Sequence, residues 1–178
     1  GEQRAIAKAI NFGLMYGKTA FGLSQELGIP RREAQEIIDR YFKRYSAVKK
    51  FLDQQIEDVR ERGWTVTLSG RKRYLPDIHS KNPAIRNNAE RMAMNTPIQG
   101  TAADLMKIAM IDLHHELLQK KYKSRMIIQV HDEIVLDCPH AEAEEVKDLV
   151  VQVLESAMKL KVPLKANAAL GENWMELK

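Results

Sequence analysis

The sequence predicts an α+β protein, with an all-helical first part and a second part in which a small antiparallel sheet packs on helices. Apolar residues recur at helical spacing through residues 1–63, which favours helices there. Two apolar runs, 125–130 and 134–138, are separated by three polar residues, which is typical of a strand pair. A hydrophobic content of 44% in 178 residues suffices for one sizeable core or two small ones.

Glycine, proline and capping residues set the predicted boundaries in the first part of the chain. In order, we expect a helix over 3–17, a short helix from Thr19 to Gly28, a third opened by Pro30, a fourth capped by Ser46 and ended by Gly63, and a hairpin of 64–68 and 73–75 around Ser69-Gly70. Pro76 ends the hairpin.

The rest of the chain continues with a basic segment and mixed elements. In order, we expect a segment over 81–91 that becomes helical up to Thr96, a helix through Leu118 opened by a capping box at Thr101–Asp104, strands over 125–130 and 134–138, an amphipathic helix from Pro139 to Leu160, and a last strand over 162–170. The run 126–130 is apolar apart from Gln129, so we expect its strand to be interior.

The composition of the chain permits some classes of protein and excludes others. The net charge of +4 and a pI near 9.1 permit a polyanionic partner without requiring one. The single cysteine, Cys138, excludes a disulfide framework, and we expect it to be a small buried apolar residue. No apolar run reaches the length of a membrane span. Because a helical pattern begins with the first residues, we expect the chain to be part of a longer one.

Two cations and two aromatic residues recur every fourth position of the first predicted helix: Arg4, Lys8, Phe12 and Tyr16. This spacing places them on one slowly winding face. Cations suit phosphates and rings suit a base, so the face fits a nucleotide. The alternative is a core face bounded by two cations. Gly13 and Gly17, each following a ring, favour close approach by a neighbour.

The segment from Gly13 to Thr19 superficially resembles a phosphate-binding P-loop, but we reject that interpretation. The motif requires four residues between its glycines, and here there are three. A strand must also precede the loop, whereas here a helix does.

Three polar residues, His131, Asp132 and Glu133, link the two predicted strands. They fit a solvated hairpin tip. Two adjacent carboxylates also suit Mg²⁺ or Mn²⁺ better than zinc. His131 could be a further metal ligand or hydrogen bond to nucleic acid, and both remain open. With the cationic face of the first helix, the triplet indicates metal-assisted phosphoryl or nucleotidyl transfer.

A third polar set, Arg91, Asn95 and Gln99, again repeats every four residues. Such side chains can donate to the minor-groove acceptors that all base pairs share. A merely solvated helix face is the other interpretation.

Taken together, these motifs resemble the C-terminal part of a family A DNA polymerase. Arg4-xxx-Lys8-xxx-Phe12-Gly13-xx-Tyr16-Gly17 is similar to the family's fingers helix, and Gln129–Glu133 to its palm motif with a catalytic carboxylate. Further similarity lies in Glu90-Arg91, Asn95, Pro97 and 99–104, in Gly70-Arg71-Lys72-Arg73 with Pro76, and in 171–174. The resemblance covers essentially the whole chain and implies a fingers subdomain over 1–77 and part of a palm over 78–178.

The resemblance implies template-directed attack of a primer 3′-hydroxyl on a deoxynucleoside triphosphate, with two Mg²⁺ ions, in the bacterial cytoplasm. The implied roles are triphosphate binding by Arg4 and Lys8, stacking near the new base pair by Phe12 and Tyr16, metal binding by Asp132 with Glu133 of lesser weight, and DNA contacts by Arg91, Asn95, Gln99 and His131. Primer–template DNA and the upstream part of the same polymerase are the implied macromolecular partners, with no membrane.

One departure from the family is large. Its other catalytic aspartate lies upstream of the fingers helix, so we expect this chain alone to be inactive. The main alternative is a non-catalytic, basic, helical nucleic-acid-binding module. It does not explain Asp132 and Glu133, which repel phosphates unless a cation intervenes. A structural helical protein with an incidental acidic turn is a third interpretation.

Overall fold

A computed structural model describes residues 1–177, and of Glu2 the backbone alone. It contains seven α-helices and four strands within that part of the chain. The elements are α1 Glu2–Met15, α2 Ala20–Leu27, α3 Arg31–Arg44, α4 Ser46–Arg62, β1 Trp64–Val66, β2 Lys72–Tyr74, α5 Pro83–Asn95, α6 Thr101–Gln119, β3 Arg125–Val130, β4 Glu133–Asp137 and α7 Ala143–Ser156. The α+β prediction is confirmed.

The chain divides into two compact units, Gly1–Thr101 and Ala102–Lys178. The predicted boundary between a fingers subdomain over 1–77 and a palm part over 78–178 stays a prediction. No helix within residues 1–177 is both long and apolar enough to cross a membrane.

The first unit has two apolar clusters. One joins α1, α2 and α3 through the buried Leu14, Leu23 and Ala34. The other joins α4 to α5 and the segment before it through Val59, Ile78 and Ala93. The first cluster fixes the end of α1, where Phe12 and Tyr16 lie, and the second fixes α5, which carries Arg91.

Two helix boundaries follow the predicted local chemistry. The Thr19 hydroxyl accepts a hydrogen bond from Gly22 N at 3.2 Å and caps α2, and Gly28 ends α2 at a φ of 65°. The predicted cap at Ser46 is wrong, because Ser46 is already helical and Tyr45 occupies the cap position without a side-chain bond. Tyr45 alone separates α3 from α4.

The predicted capping box at Thr101 is also wrong. Thr101 has helical angles, with φ −65° and ψ −40°, whereas an N-cap residue is non-helical. A π-helical turn over Thr96–Gly100 leads directly from α5 into α6. Pro97 lies in that turn and has no N–H to donate, which explains the departure from α-helical bonding.

The β1–β2 hairpin supports the π turn. Leu68 N donates to the Thr101 hydroxyl at 2.9 Å, and an Arg71 guanidinium nitrogen donates to Gly100 O at 3.2 Å. A Cβ at Gly100 would lie 2.7 Å from Thr67 Cγ2, so only glycine allows this close approach.

In the second unit, α6, α7 and the β3–β4 hairpin share one core. Leu113 and Leu117 of α6 pack with Val146, Leu149, Val150 and Val153 of α7, and the half-buried Met126, Leu136 and Cys138 pack against this cluster. Cys138 is thus free and packs against the core, but it is half-buried and not buried as expected.

The expectation that β3 is interior is wrong. Ile127 is 57% exposed and Ile128 is 40% exposed, because β3 pairs with β4 alone among the described residues. The register jumps from Met126↔Leu136 to Ile128↔Val135, which leaves Ile127 as a bulge. The bulge explains why the apolar residues of this run do not alternate between two faces.

The C-terminal predictions are wrong in two places. Residues 162–170 form no strand, and this segment is instead tied to α7 by Ala166 N, which donates to Glu155 Oε1 at 3.2 Å. The final helix begins at Ala143, later than predicted, because Glu142 leaves the helical region with φ −121° and accepts hydrogen bonds from Ser124.

A candidate nucleotide cleft and a carboxylate hairpin

The first unit contains a cleft of about 980 Å³, which is large enough for a nucleotide. Its lining includes Lys8, Phe12 and Tyr16 of α1 and Asn87, Arg91 and Met94 of α5. The structure therefore brings three residues of the predicted α1 face together with Arg91. Arg4 is exposed one turn earlier on α1 and does not line the cleft.

The rings and the nearest cation form a connected row. The ring centroids of Phe12 and Tyr16 lie 6.3 Å apart at 29°, in a stacked arrangement. Lys8 Nζ lies 5.9 Å from the Phe12 centroid. Phe12 is 52% exposed, which is inconsistent with a simple core role and leaves a ring face accessible to a planar ligand.

The end of α1 is a Schellman motif. Lys18 N donates to Gly13 O at 2.8 Å and Gly17 N donates to Leu14 O at 3.1 Å, with Gly17 at φ 73°. These amides are occupied by the helix end, which agrees with rejecting a P-loop. Lys18 pairs with Glu26, and its side chain packs over Gly13.

Gly17 also lets α5 approach. A Cβ there would lie 2.5 Å from Met94 Cε and 3.1 Å from Arg91 Cγ. The glycine thus meets two needs, a left-handed backbone and space for the side chains that line the opposite wall of the cleft.

Replacing Gly17 with alanine is expected to lower the free energy of unfolding by about 2 kcal/mol, mainly from left-handed strain, with a smaller addition from displacing the flexible side chains of Met94 and Arg91. Gly28→Ala is the matched control, because Gly28 has φ 65° but no atom within 4 Å of its would-be Cβ. Urea unfolding should show the smaller loss for Gly28→Ala. Equal losses would refute the steric part of this explanation.

An acidic residue of α5 beside the cleft is held by α4. Arg60 Nη2 donates to Glu90 Oε1 at 2.7 Å, and Nη1 donates to Glu57 Oε1 at the same distance. The hydrogen bond to Glu90 raises the pKa of Arg60 above its ordinary value. Glu90 itself lines the cleft, and its carboxylate is paired with the Arg60 guanidinium.

Asn95 and Gln99 lie further along the same helical run. Asn95 is half-buried, and among residues 1–177 its Oδ1 has no hydrogen-bond partner. Gln99 is exposed on the π turn. Neither lines the cleft. Their predicted DNA contacts stay predictions.

The carboxylates lie at the tip of the β3–β4 hairpin in the second unit. Val130 pairs with Glu133, so the loop is only His131 and Asp132, and Glu133 begins β4. His131 has φ 54°, a left-handed conformation that glycine usually provides in such a loop. Gln129 Nε2 donates to His131 O at 2.7 Å. This short, braced loop holds Asp132 and Glu133 exposed side by side.

The donor chemistry of these two carboxylates fits Mg²⁺, which prefers oxygen ligands. No group of three or more His, Cys, Asp or Glu side chains that could hold a metal occurs in the part of the chain that the structure describes. Asp132 and Glu133 therefore represent at most part of a ligand set.

Sequence reasoning missed several residues that line the cleft. Asn87 lies four residues before Arg91 and Met94 lies three residues after it, so all three share one face of α5. That periodicity was available in the sequence. Lys18, which also lines the cleft, had no such signal, because its position depends on the Schellman turn.

The cleft brings rings and cations together beside a polar helix, and comparison with known proteins identifies the class of protein to which this chain belongs. The sequence profile described as DNA polymerase family A matches residues 1–176. This chain belongs to DNA polymerase family A.

Individual relatives agree with this assignment. DNA polymerase I of Caldicellulosiruptor bescii is 47% identical over 177 residues, which cover 99% of this chain and 21% of that protein. DNA polymerase I of Streptococcus pneumoniae is 50% identical over 175 residues, which cover 98% of this chain and 20% of that protein. The chain thus spans about a fifth of the length of these relatives.

A solved structure is similar in fold. The POL domain of Pol1 from M. smegmatis, in complex with DNA primer–template and dNTP, has a TM-score of 0.88 and 40% sequence identity. The match covers 92% of this chain and 29% of that chain.

Proposed function

We propose that this chain is the nucleotide-gripping and DNA-contacting part of a DNA-directed DNA polymerase. The cleft that brings Lys8, Phe12 and Tyr16 together with Arg91 is the observation that carries this proposal. Family membership and the relative solved with primer–template and dNTP support the same substrates here. On this view the fingers functions belong to residues 1–77 and the palm functions to 78–178, and the protein acts in the bacterial cytoplasm.

Each side chain at the cleft then has a definite task. Lys8, with Arg4 one turn away, binds the triphosphate through charge-assisted hydrogen bonds. The stacked pair Phe12 and Tyr16 provides a flat surface for the nascent base pair. The 5.9 Å between Lys8 Nζ and the Phe12 ring places a phosphate-binding group directly beside a base-binding group.

The DNA contacts come from the same unit and from the hairpin tip. Arg91 on α5 positions the template or primer beside the cleft, and Asn95 and Gln99 donate to shared minor-groove acceptors. His131 is well placed at an exposed two-residue loop to hydrogen bond to the primer terminus. None of these contacts distinguishes one base sequence from another, and a polymerase that copies any template requires such contacts.

Asp132, with Glu133 beside it, would hold Mg²⁺, and the remaining ligands would come from the upstream part of the polymerase. When bound, two such ions favour ionisation of the primer 3′-hydroxyl and balance the charge on the leaving pyrophosphate. The protein's own contribution here is the short loop, which holds the backbone that carries Asp132 between two paired strands.

Primer extension tests this proposal. We expect the 178-residue chain alone to extend a primer at no more than background rate, and a chimera in which it replaces the matching segment of a family member to be active with Mg²⁺. The chimera isolates what this chain supplies. An inactive but folded chimera that still binds primer–template would contradict the proposed function, and robust extension by the chain alone would contradict its incompleteness.

A further inference from the structure

The basic character of this chain is concentrated at one corner. The α3–α4 elbow, residues 40–51, contains five Lys and Arg and no Asp or Glu. The whole chain has a net charge of +4, so the residues outside the elbow sum to −1. A local excess of this kind is the electrostatic footprint expected of a nucleic-acid contact.

Most of these cations form no ion pair within the described part of the fold. Lys49 bonds to Asp53 at 2.6 Å, but Arg40, Lys43, Arg44 and Lys50 form no ion pair with the carboxylates that the structure describes. Lys43 and Arg44 suit the C-terminal dipole of α3. Lys49 and Lys50 have no such explanation, since they lie near the N-terminus of α4, where a helix dipole disfavours cations.

Aromatic rings are interleaved with these charges. The centroid of Tyr41 lies 5.3 Å from that of Phe42 and 4.9 Å from that of Tyr45. Lys49 Nζ lies 5.9 Å from the Phe42 centroid. Tyr45 is nevertheless 49% exposed, although its ring is backed by Tyr41. A ring that is supported on one side and open on the other is a stacking platform.

The elbow is held in a fixed geometry. Tyr45 N donates to Tyr41 O at 2.8 Å, and Tyr45 O accepts from Val48 N at 3.0 Å and from Lys49 N at 3.2 Å. The single non-helical residue between α3 and α4 is therefore bonded on both sides. Its ring and the flanking cations keep their relative positions before any ligand arrives, which lowers the entropic cost of binding.

We propose that the α3–α4 elbow is a binding site for single-stranded nucleic acid, in which Tyr45 stacks on a base and Lys43, Arg44 and Lys50 contact the phosphates. A duplex hides its base faces in the stack, so an exposed ring favours an unpaired strand. An acidic protein would use the cations but not the ring. If the proposed polymerase function holds, this strand is the unpaired part of the template. Only this identification of the strand rests on the proposed function.

Fluorescence anisotropy with a labelled oligothymidine of about 12 nucleotides tests the site on this chain. Tyr45→Leu should weaken binding about tenfold, and Tyr45→Phe should restore it, because stacking needs the ring and not the hydroxyl. Circular dichroism and melting establish that each variant is folded. Equal affinity of the Leu and Phe variants would overturn the proposal.

The charges are tested separately, so the proposal does not depend on the folding of a Tyr45 variant. The combined Lys43→Gln, Arg44→Gln and Lys50→Gln variant should lower the salt slope of binding by about 2, since each single-strand phosphate contact contributes about 0.7. The matched control replaces the exposed Lys123, Lys159 and Lys161 with Gln and removes the same total charge. The same loss in both variants would overturn the site.

Two further probes separate the alternatives. Polyglutamate should compete much less effectively than oligothymidine, and equal competition would identify the elbow as an acid-binding surface instead. Elbow variants should bind a blunt duplex like the wild type. If they also bind an overhang-bearing duplex like the wild type, the elbow proposal fails while the proposed polymerase function stands. If the chimera is inactive while the elbow variants still weaken binding to an unpaired strand, the proposed polymerase function fails and the elbow proposal stands.

Discussion

Replacing Asp132 with Asn in the chimera is expected to lower the rate of primer extension about a thousandfold, which corresponds to roughly 4 kcal/mol of transition-state stabilisation. Asparagine keeps the size of the side chain but loses the charge that holds a divalent cation. Because Asp132 is exposed in a two-residue loop, the substitution should leave the free energy of unfolding within about 0.5 kcal/mol of the wild type.

Asp137→Asn is the matched control for Asp132→Asn. Asp137 is also exposed and lies at the other end of the same hairpin, opposite Arg125. It should retain nearly full activity. Single-turnover extension at saturating Mg²⁺ with varied nucleotide separates a defect in turnover from one in nucleotide binding. Retention of activity by Asp132→Asn within a fewfold would remove this carboxylate from the chemistry and favour the non-catalytic DNA-binding alternative.

Lys8→Ala in the same chimera is expected to reduce kcat/KM for nucleotide about a hundredfold, the cost of removing one positioned donor from a developing charge. The loss should appear in both nucleotide affinity and transfer, since a triphosphate clamp acts in the ground state and in the transition state. Lys8→Arg should restore part of the affinity, because it retains the charge.

The stability of the Lys8 variant distinguishes function from structure. Lys8 is exposed, with its Nζ 5.9 Å from the Phe12 ring centroid, so the free energy of unfolding in urea should change by less than about 0.5 kcal/mol. Lys120→Ala, at an exposed position after α6, is the control for a general loss of charge. An unchanged kcat/KM for Lys8→Ala would exclude α1 as the triphosphate-binding helix.

Local sequence signals were enough to delimit α2 and to define the face of α1. Thr19 and Gly28 delimit α2, and the spacing on α1 correctly placed Lys8, Phe12 and Tyr16 on a shared face that lines one cleft. The predictions failed where a distant segment decides the outcome. Thr101, with Asp104 in place of the usual Glu, resembles a capping box, yet its hydroxyl accepts from Leu68 N of the hairpin loop and donates to Pro97 O of the preceding turn.

In the candidate site, too, some features follow from local residues and others depend on distant segments. The position of Asp132 and Glu133 at the turn of a hairpin was readable from the triplet and its flanking apolar runs, whereas the left-handed His131 and the exposure of β3 were not. An apolar strand looks interior from its composition alone, but burial depends on which strands are present to cover it. Likewise, Met94 and Lys18 reach the cleft through the close approach at Gly17 and the turn after α1.

The bulge at Ile127 has a consequence for how the palm hairpin tolerates changes in length. β3 has six residues and β4 has five, and Ile127 absorbs the difference. Deleting that one residue would make the ladder regular and leave the pairs from Ile128 to Glu133 in place. Deleting any residue between Ile128 and the turn would instead move every later side chain to the opposite side, the Asp132 carboxylate included. In an alignment of related hairpins, gaps should therefore collect at this position and not nearer the loop.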